Sequence, residues 1–191
     1  MIAGVASLFA IYFGLYAADE LVFHRKRGLH PTARWGHPTD LLLLAACAAY
    51  TLIVPYGDLT KIPFGILALF ALISPLKDER LHAGKTDGSE QLVHAIRYML
   101  QPLVIIMLGG LWPFLLGVNF MVGMMLPFDP ESLRPVFGGF AFACVALAIF
   151  QFTYWMVLRK DAAPEVPLEE GAAVVKPDAP QTASSKSSVS A

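Results

Sequence analysis

The sequence predicts an all-α integral membrane protein, a five-helix transmembrane bundle with a four-helix core and a fifth span. Three observations predict it. The chain is 56% hydrophobic and only 15% charged, against about 25% charged residues in soluble domains. Its apolar residues gather in runs near bilayer length, broken by short charged segments. The basic residues in those segments alternate from one end of the runs to the other in the sense of the positive-inside rule.

Span 1 is predicted over 2–18, with its helix carried on to His24. No basic residue precedes this run and Y-A-A-D-E is a poor cleavage site, so it reads as a retained helix rather than a signal peptide. A basic loop follows, broken by Gly28, Pro31 and Gly36. Span 2 is predicted over 40–56, and the short turn G-D-L-T-K leads to span 3 over 62–76. That run is short of the roughly 20 residues a bilayer requires, so the helix is expected to tilt or to extend into Lys77–His82. Span 4 is predicted over 98–117 with a kink at Pro102, and span 5 over 136–158. Residues 118–128, apolar but rich in Gly and Met, read as an interfacial or re-entrant piece. The bundle thus occupies 1–160, and the Ala-, Pro- and Ser-rich 161–191 reads as a disordered tail.

Loops after spans 1, 3 and 5 carry ten Lys and Arg residues, and the opposite loops carry only Lys61 and Arg134. The rule then puts the N-terminus outside and the tail in the cytoplasm, as in a bacterial inner membrane. A net charge of −1 makes no case for a nucleic-acid partner. Cys47 and Cys144 both lie inside apolar runs and read as buried hydrophobes rather than a disulfide or metal pair.

The chemistry gathers at one side. Span 1 leaves as Asp19-Glu20-Leu-Val-Phe-His24, and span 2 enters as His37-Pro-Thr-Asp40. Span 3 leaves as Asp78-Glu79-Arg-Leu-His82, and span 4 is preceded by Glu90-Gln-Leu-Val-His94. Residues three or four apart share a helical face, so each pair can aim a carboxylate and an imidazole at one centre. Taken alone, such a pair is usually an exposed contact of about 0.2–0.5 kcal/mol. Four pairs at one membrane depth point instead to a metal site built from Glu20, His24, His37, Asp40, Glu79, His82, Glu90 and His94, with Asp19 and Asp78 as alternates that orient imidazoles. Nitrogen and oxygen donors without thiolate suit iron, manganese or zinc. Eight donors are enough for two ions, as in four-helix di-iron proteins, although only Glu79-x-x-His82 has their strict Glu-x-x-His spacing. Tyr12 and Tyr16 continue the Glu20–His24 stripe, and Tyr98 and Gln101 continue the Glu90–His94 face. Tyr16, Tyr98 and Gln101 are therefore the candidates to line a pocket for a lipid chain or a quinone.

The strings D-E-L-V-F-H-R-K-R-G-L, G-H-P-T-D, K-D-E-R-L-H and E-Q-L-V-H-A resemble a family of small bacterial multi-pass membrane proteins. The resemblance covers about residues 10–115, leaving out span 5 and the tail, and implies a shared helical fold and polar cluster but no reaction. The membrane desaturases and hydroxylases offer a looser comparison. Their histidine boxes, HxxxH and HxxHH, do not occur here, which argues against membership.

Three functions are compatible with this pattern. The first is a metal-dependent membrane oxidoreductase acting on a lipid or quinone. The second is a non-catalytic subunit or assembly factor of a larger membrane complex, with the polar cluster as an interhelical lock. The third, an ion transporter, calls for midplane ionisable residues that spans 2, 3 and 5 lack.

Overall fold

The computed structural model describes residues 1–25, 29, 33–82, 88–115 and 130–159, with the backbone alone at 33, 77–82 and 130. The re-entrant piece expected at 118–128 and the tail expected at 161–191 lie outside the described residues. Helix α1 spans Ile2–Ala18 and runs on through a π-wound turn, Asp19–His24. Helices α2 (Ala33–Ile53), α3 (Asp58–His82) and α4 (Gly88–Leu115) follow. A 3₁₀ turn, Pro130–Leu133, opens α5 (Arg134–Phe152), which also ends in a π-wound turn, Thr153–Leu158. All five helices are long and apolar enough to cross a membrane.

Several boundaries differ from the sequence expectation: α2 ends at Ile53 rather than 56, α3 begins at Asp58 rather than 62 and takes in most of the expected G-D-L-T-K turn, and two helix starts differ by more. Helix α2 begins at Ala33 rather than at 40, running through Gly36 and Pro38. Pro38 sits near the helix start, where its missing N–H removes a single intrahelical bond. Helix α4 begins at Gly88 rather than at 98, so Glu90 and His94 ride on the spanning helix itself. The continuation of α3 through residues 77–82 is as expected.

Helix α2 is the centre of the bundle. It packs most extensively on α5, then on α3, while α1 lies against α4 and α5. The apolar core joins Val5 and Phe9 of α1, Leu41, Leu44 and Ala48 of α2, Val104 and Leu108 of α4, and Phe137 and Phe140 of α5. Phe9 stacks on Phe140 at 4.4 Å and meets Phe137 edge-on at 5.5 Å. Cys47 and Cys144 are buried free thiols within it. The outer face of α3 is the reverse: Ile62, Ile66, Leu69, Phe70, Ile73 and Leu76 are all more than half exposed. So continuous an apolar face is a liability in water and the natural surface in lipid.

Packing inside a bilayer must also satisfy backbone groups that prolines release. Helix α3 approaches its neighbours through the small residues Ala68 and Ala71. The Ala71 carbonyl would normally accept the N–H of residue 75, but residue 75 is proline and has none. Gln101 of α4 supplies the missing donor, its Nε2 lying 2.6 Å from Ala71 O. Tyr98, three residues earlier on α4, donates to Pro75 O at 3.3 Å. Side chains also reach main-chain carbonyls of neighbouring segments at the other end of the bundle. Trp112 Nε1 donates to Val54 O, just past the end of α2, at 2.7 Å, and Tyr50 OH donates to Thr60 O at 3.0 Å.

Gln101→Leu is expected to destabilise the protein by about 1–3 kcal/mol, because it strands a buried carbonyl. In a Pro75→Ala background the same substitution is expected to cost markedly less, since residue 75 then donates its own N–H. Unfolding of the four variants in detergent, read as a double-mutant cycle, checks this. Equal penalties in both backgrounds would refute the assignment.

Candidate metal centre

Four helices bring polar side chains to one end of the bundle. On α1 the buried stripe Val5, Phe9, Tyr12, Tyr16 steps by four, three and four residues, as an α-helical face does. It ends in three buried ionisable residues, Asp19, Glu20 and His24. In a regular α-helix Asp19 and His24 would point about 140° apart. The π turn, marked by the Arg25 N–H bonding back to Glu20 O, winds wider and cuts that angle to roughly 50°. Asp19, Glu20 and His24 thereby all face inward.

Helix α2 contributes His37 and Asp40, both buried. The His37 ring stands perpendicular to that of His24 with centroids 4.6 Å apart, and Tyr16 OH donates to the His37 carbonyl at 3.0 Å. Helix α4 presents Glu90, His94, Arg97 and Gln101 on one face, all 3% exposed or less. Helix α5 adds Gln151 and Trp155, four residues apart and fully buried.

Asp19 is the hub. Its Oδ2 accepts from Arg97 NH1 at 2.6 Å, and its Oδ1 accepts from His94 Nε2 at 2.9 Å. Arg97 is itself enclosed by aromatic rings, its guanidinium carbon 4.5 Å from the Tyr16 centroid and 5.3 Å from that of Tyr98. A cation in such a cage gains quadrupole attraction as well as its ion pair. Glu20 is held separately: Gln151 Nε2 donates to its Oε2 at 2.8 Å, and Trp155 Nε1 donates to its Oε1. Leu29 packs on Trp155, and Arg34 Nε donates to the Leu29 carbonyl at 3.2 Å, which covers the cluster on the side of the α1–α2 connection.

His24 lies among three carboxylates. Its Nδ1 is 3.7 Å from Asp19 Oδ1 and 3.8 Å from Glu20 Oε2, and its Nε2 is 3.8 Å from Glu90 Oε1. These separations are too long for hydrogen bonds. They approach the roughly 3–3.5 Å between neighbouring donors that each stand about 2.0–2.2 Å from one ion. Asp19, His24, Glu90 and His94 offer donor atoms all within 4.8 Å of one another, and so do Glu20, His24 and His37. The protein thus has a buried carboxylate–histidine cluster compatible with a metal site.

Among the residues singled out in the sequence, Glu20, His24, His37, Glu90 and His94 come together. Asp40 is buried on the same face of α2 but belongs to neither donor group. Glu79, His82 and Asp78 fall on the last turns of α3, where side chains lie outside the described residues. Tyr16, Tyr98 and Gln101 are all tied to main-chain carbonyls of neighbouring helices. Asp19, read as an alternate, is central. Arg97, which the sequence counts among the ten basic residues of the loops, and Trp155, inside span 5, carry no site role in the sequence reading. The spacing Glu90–His94–Arg97–Gln101 held the signal for Arg97, and Gln151–Trp155 at i,i+4 held the signal for α5.

Arg97→Met leaves the buried Asp19 carboxylate without its cation and is expected to cost about 3–5 kcal/mol. The Asp19→Asn/Arg97→Met double variant is expected to recover most of that loss. Unfolding midpoints in detergent check the pair, and additive losses would contradict the pairing. Compared with family models, curated proteins and solved structures, the chain matches none of them, so the reading of this centre rests on its own geometry.

Proposed function

We propose that this protein is a membrane metalloprotein whose centre binds divalent metal through Asp19, His24, Glu90 and His94, extended by Glu20 and His37, and serves oxidation–reduction of a lipid or quinone. The observation that carries the reading is the convergence of two carboxylates and two imidazoles from α1 and α4, donor atoms within 4.8 Å, all nearly inaccessible to solvent. Carboxylates and imidazoles gathered inside a membrane bundle are costly unless paired or functional. An oxygen- and nitrogen-rich, thiolate-free donor set favours iron or manganese, with zinc as the redox-inert competitor. The pattern of acidic and imidazole donors on facing helices is that of dinuclear carboxylate bundles, and iron in such a set would supply redox chemistry. A site inside the bundle suits a substrate carried in the bilayer. With Arg34 and Arg97 set aside as buried, eight basic residues still oppose two, which favours a cytoplasmic position for this end in an inner membrane.

A second reading has its own support. The contacts of Asp19 with Arg97 and His94, and of Glu20 with Gln151 and Trp155, tie α1 to α4 and α5 without any ion. Such a lock would suit a non-catalytic subunit whose role is geometric.

Protein purified in detergent without chelator is expected to carry at least one transition-metal ion per chain, and Glu90→Gln is expected to lower its affinity at least about tenfold. Elemental analysis decides. Occupancy below about one tenth of an ion per chain, with none taken up on titration, would end the metal reading, and co-purification with a defined complex would then favour the lock.

A further inference from the structure

The two donor groups are not equivalent. One has four protein donors, Asp19, His24, Glu90 and His94; the other has three, Glu20, His24 and His37. They share His24, which has carboxylate oxygens near both ring nitrogens, Asp19 and Glu20 at 3.7 and 3.8 Å from Nδ1 and Glu90 at 3.8 Å from Nε2; to serve two ions it would release its ring N–H proton and bridge them as an imidazolate. Four protein donors close a tetrahedral shell, whereas three leave a coordination position for an exogenous ligand.

The surroundings of the three-donor group indicate what would fill that position. Both Glu20 oxygens already accept N–H groups, yet a carboxylate keeps lone pairs for a metal. Because a carboxylate can only accept, the Gln151 amide is oriented with its nitrogen on Glu20. Its Oε1 is then left buried in the same place with no hydrogen-bond partner, a state that native interiors rarely tolerate. An acceptor there suits a ligand carrying an N–H or O–H. Charge allows an anion. Asp19, Glu20, Glu90 and the His24 imidazolate against Arg97 leave three net negative charges, one fewer than two divalent ions bring, counting only members of the two donor groups and their ion-pair partner.

We propose that the centre holds two unlike ions, a resident one in the Asp19–His24–Glu90–His94 shell and a reactive one at Glu20–His24–His37 whose open position binds a small protic anion, with Gln151 Oε1 accepting its hydrogen bond. This rests on the metal reading above. Gln151 is a positioning residue here, and α5 becomes part of the reactive half of the site.

Cobalt(II) loaded into the detergent-purified protein tests it, with azide and the hydrogen cyanamide anion as probes. The two anions are alike in size and shape, but only cyanamide carries an N–H. The wild type is expected to bind two cobalt ions per chain and to change its visible spectrum with either anion. His37→Ala is expected to lose one ion and the anion response while keeping the other ion; His37→Gln is the variant to use if the alanine form does not fold. Gln151→Leu is expected to keep both ions and azide binding but to weaken cyanamide about tenfold, the worth of one hydrogen bond. One cobalt per chain, unaffected by His37→Ala and silent to azide, would overturn the second position while leaving the four-donor reading intact. Equal effects of Gln151→Leu on both anions would overturn the role of Gln151. No cobalt at all would sink both readings.

Discussion

The bundle is organised around the ion pair between Asp19 on α1 and Arg97 on α4. Neither partner is accessible to solvent, and an isolated charge in that environment would be prohibitively costly. Their contact therefore sets the distance and rotation of α1 relative to α4. The half of the cluster between α1 and α4 is positioned from that constraint. His94 reaches the second oxygen of Asp19, Tyr16 and Tyr98 enclose the guanidinium, and His24 is left among the carboxylates of both helices. The same residue, Asp19, is then both a structural anchor and a candidate metal donor. A cation arriving between Asp19 and His94 would replace the proton they share, while Arg97 would keep the carboxylate in place.

Two helices depart from regular winding at this end, and the departures face the same cluster. The π turn of α1 rotates Asp19 onto the face of Glu20 and His24. The π turn of α5, marked by Arg159 N–H bonding to Tyr154 O at 2.9 Å, lies where Trp155 meets Glu20. Such turns forgo part of the regular hydrogen-bond ladder and persist where the placement they achieve is used. Prolines act in the complementary way. Pro75 releases a carbonyl, and Gln101 takes it up from another helix, so an apparent defect in α3 becomes its attachment to α4.

This changes the meaning of the polar residues below the cluster. Tyr16, Tyr98 and Gln101 suggest a lined pocket when viewed as a sequence stripe. In the bundle each donates to a main-chain carbonyl on a neighbouring helix, and their chemistry goes into holding helices together. The residue that instead carries unused capacity lies nearer the end of the bundle, at Gln151, whose Oε1 is buried without a hydrogen-bond partner.

How much of this was legible can be argued residue by residue. Span number and approximate position follow from hydropathy, because a bilayer demands long apolar stretches whatever their packing. The gathering of His24, His37, Glu90 and His94 at one end also follows, since alternating spans carry helix ends to the same side. The pairing of Glu20 with His24 and of Glu90 with His94 needs only the 3.6-residue period. Asp19 could not be placed that way, because the period itself fails where α1 turns π. Arg97 looked like a loop charge because a hydropathy window ends a helix where charge begins, whereas a buried partner lets the helix continue through it. The match of Gln101 to Ala71, and of Trp155 and Gln151 to Glu20, joins residues far apart in the chain. Spacing along one helix says which side chains share a face, but only the packing of helices decides what that face meets.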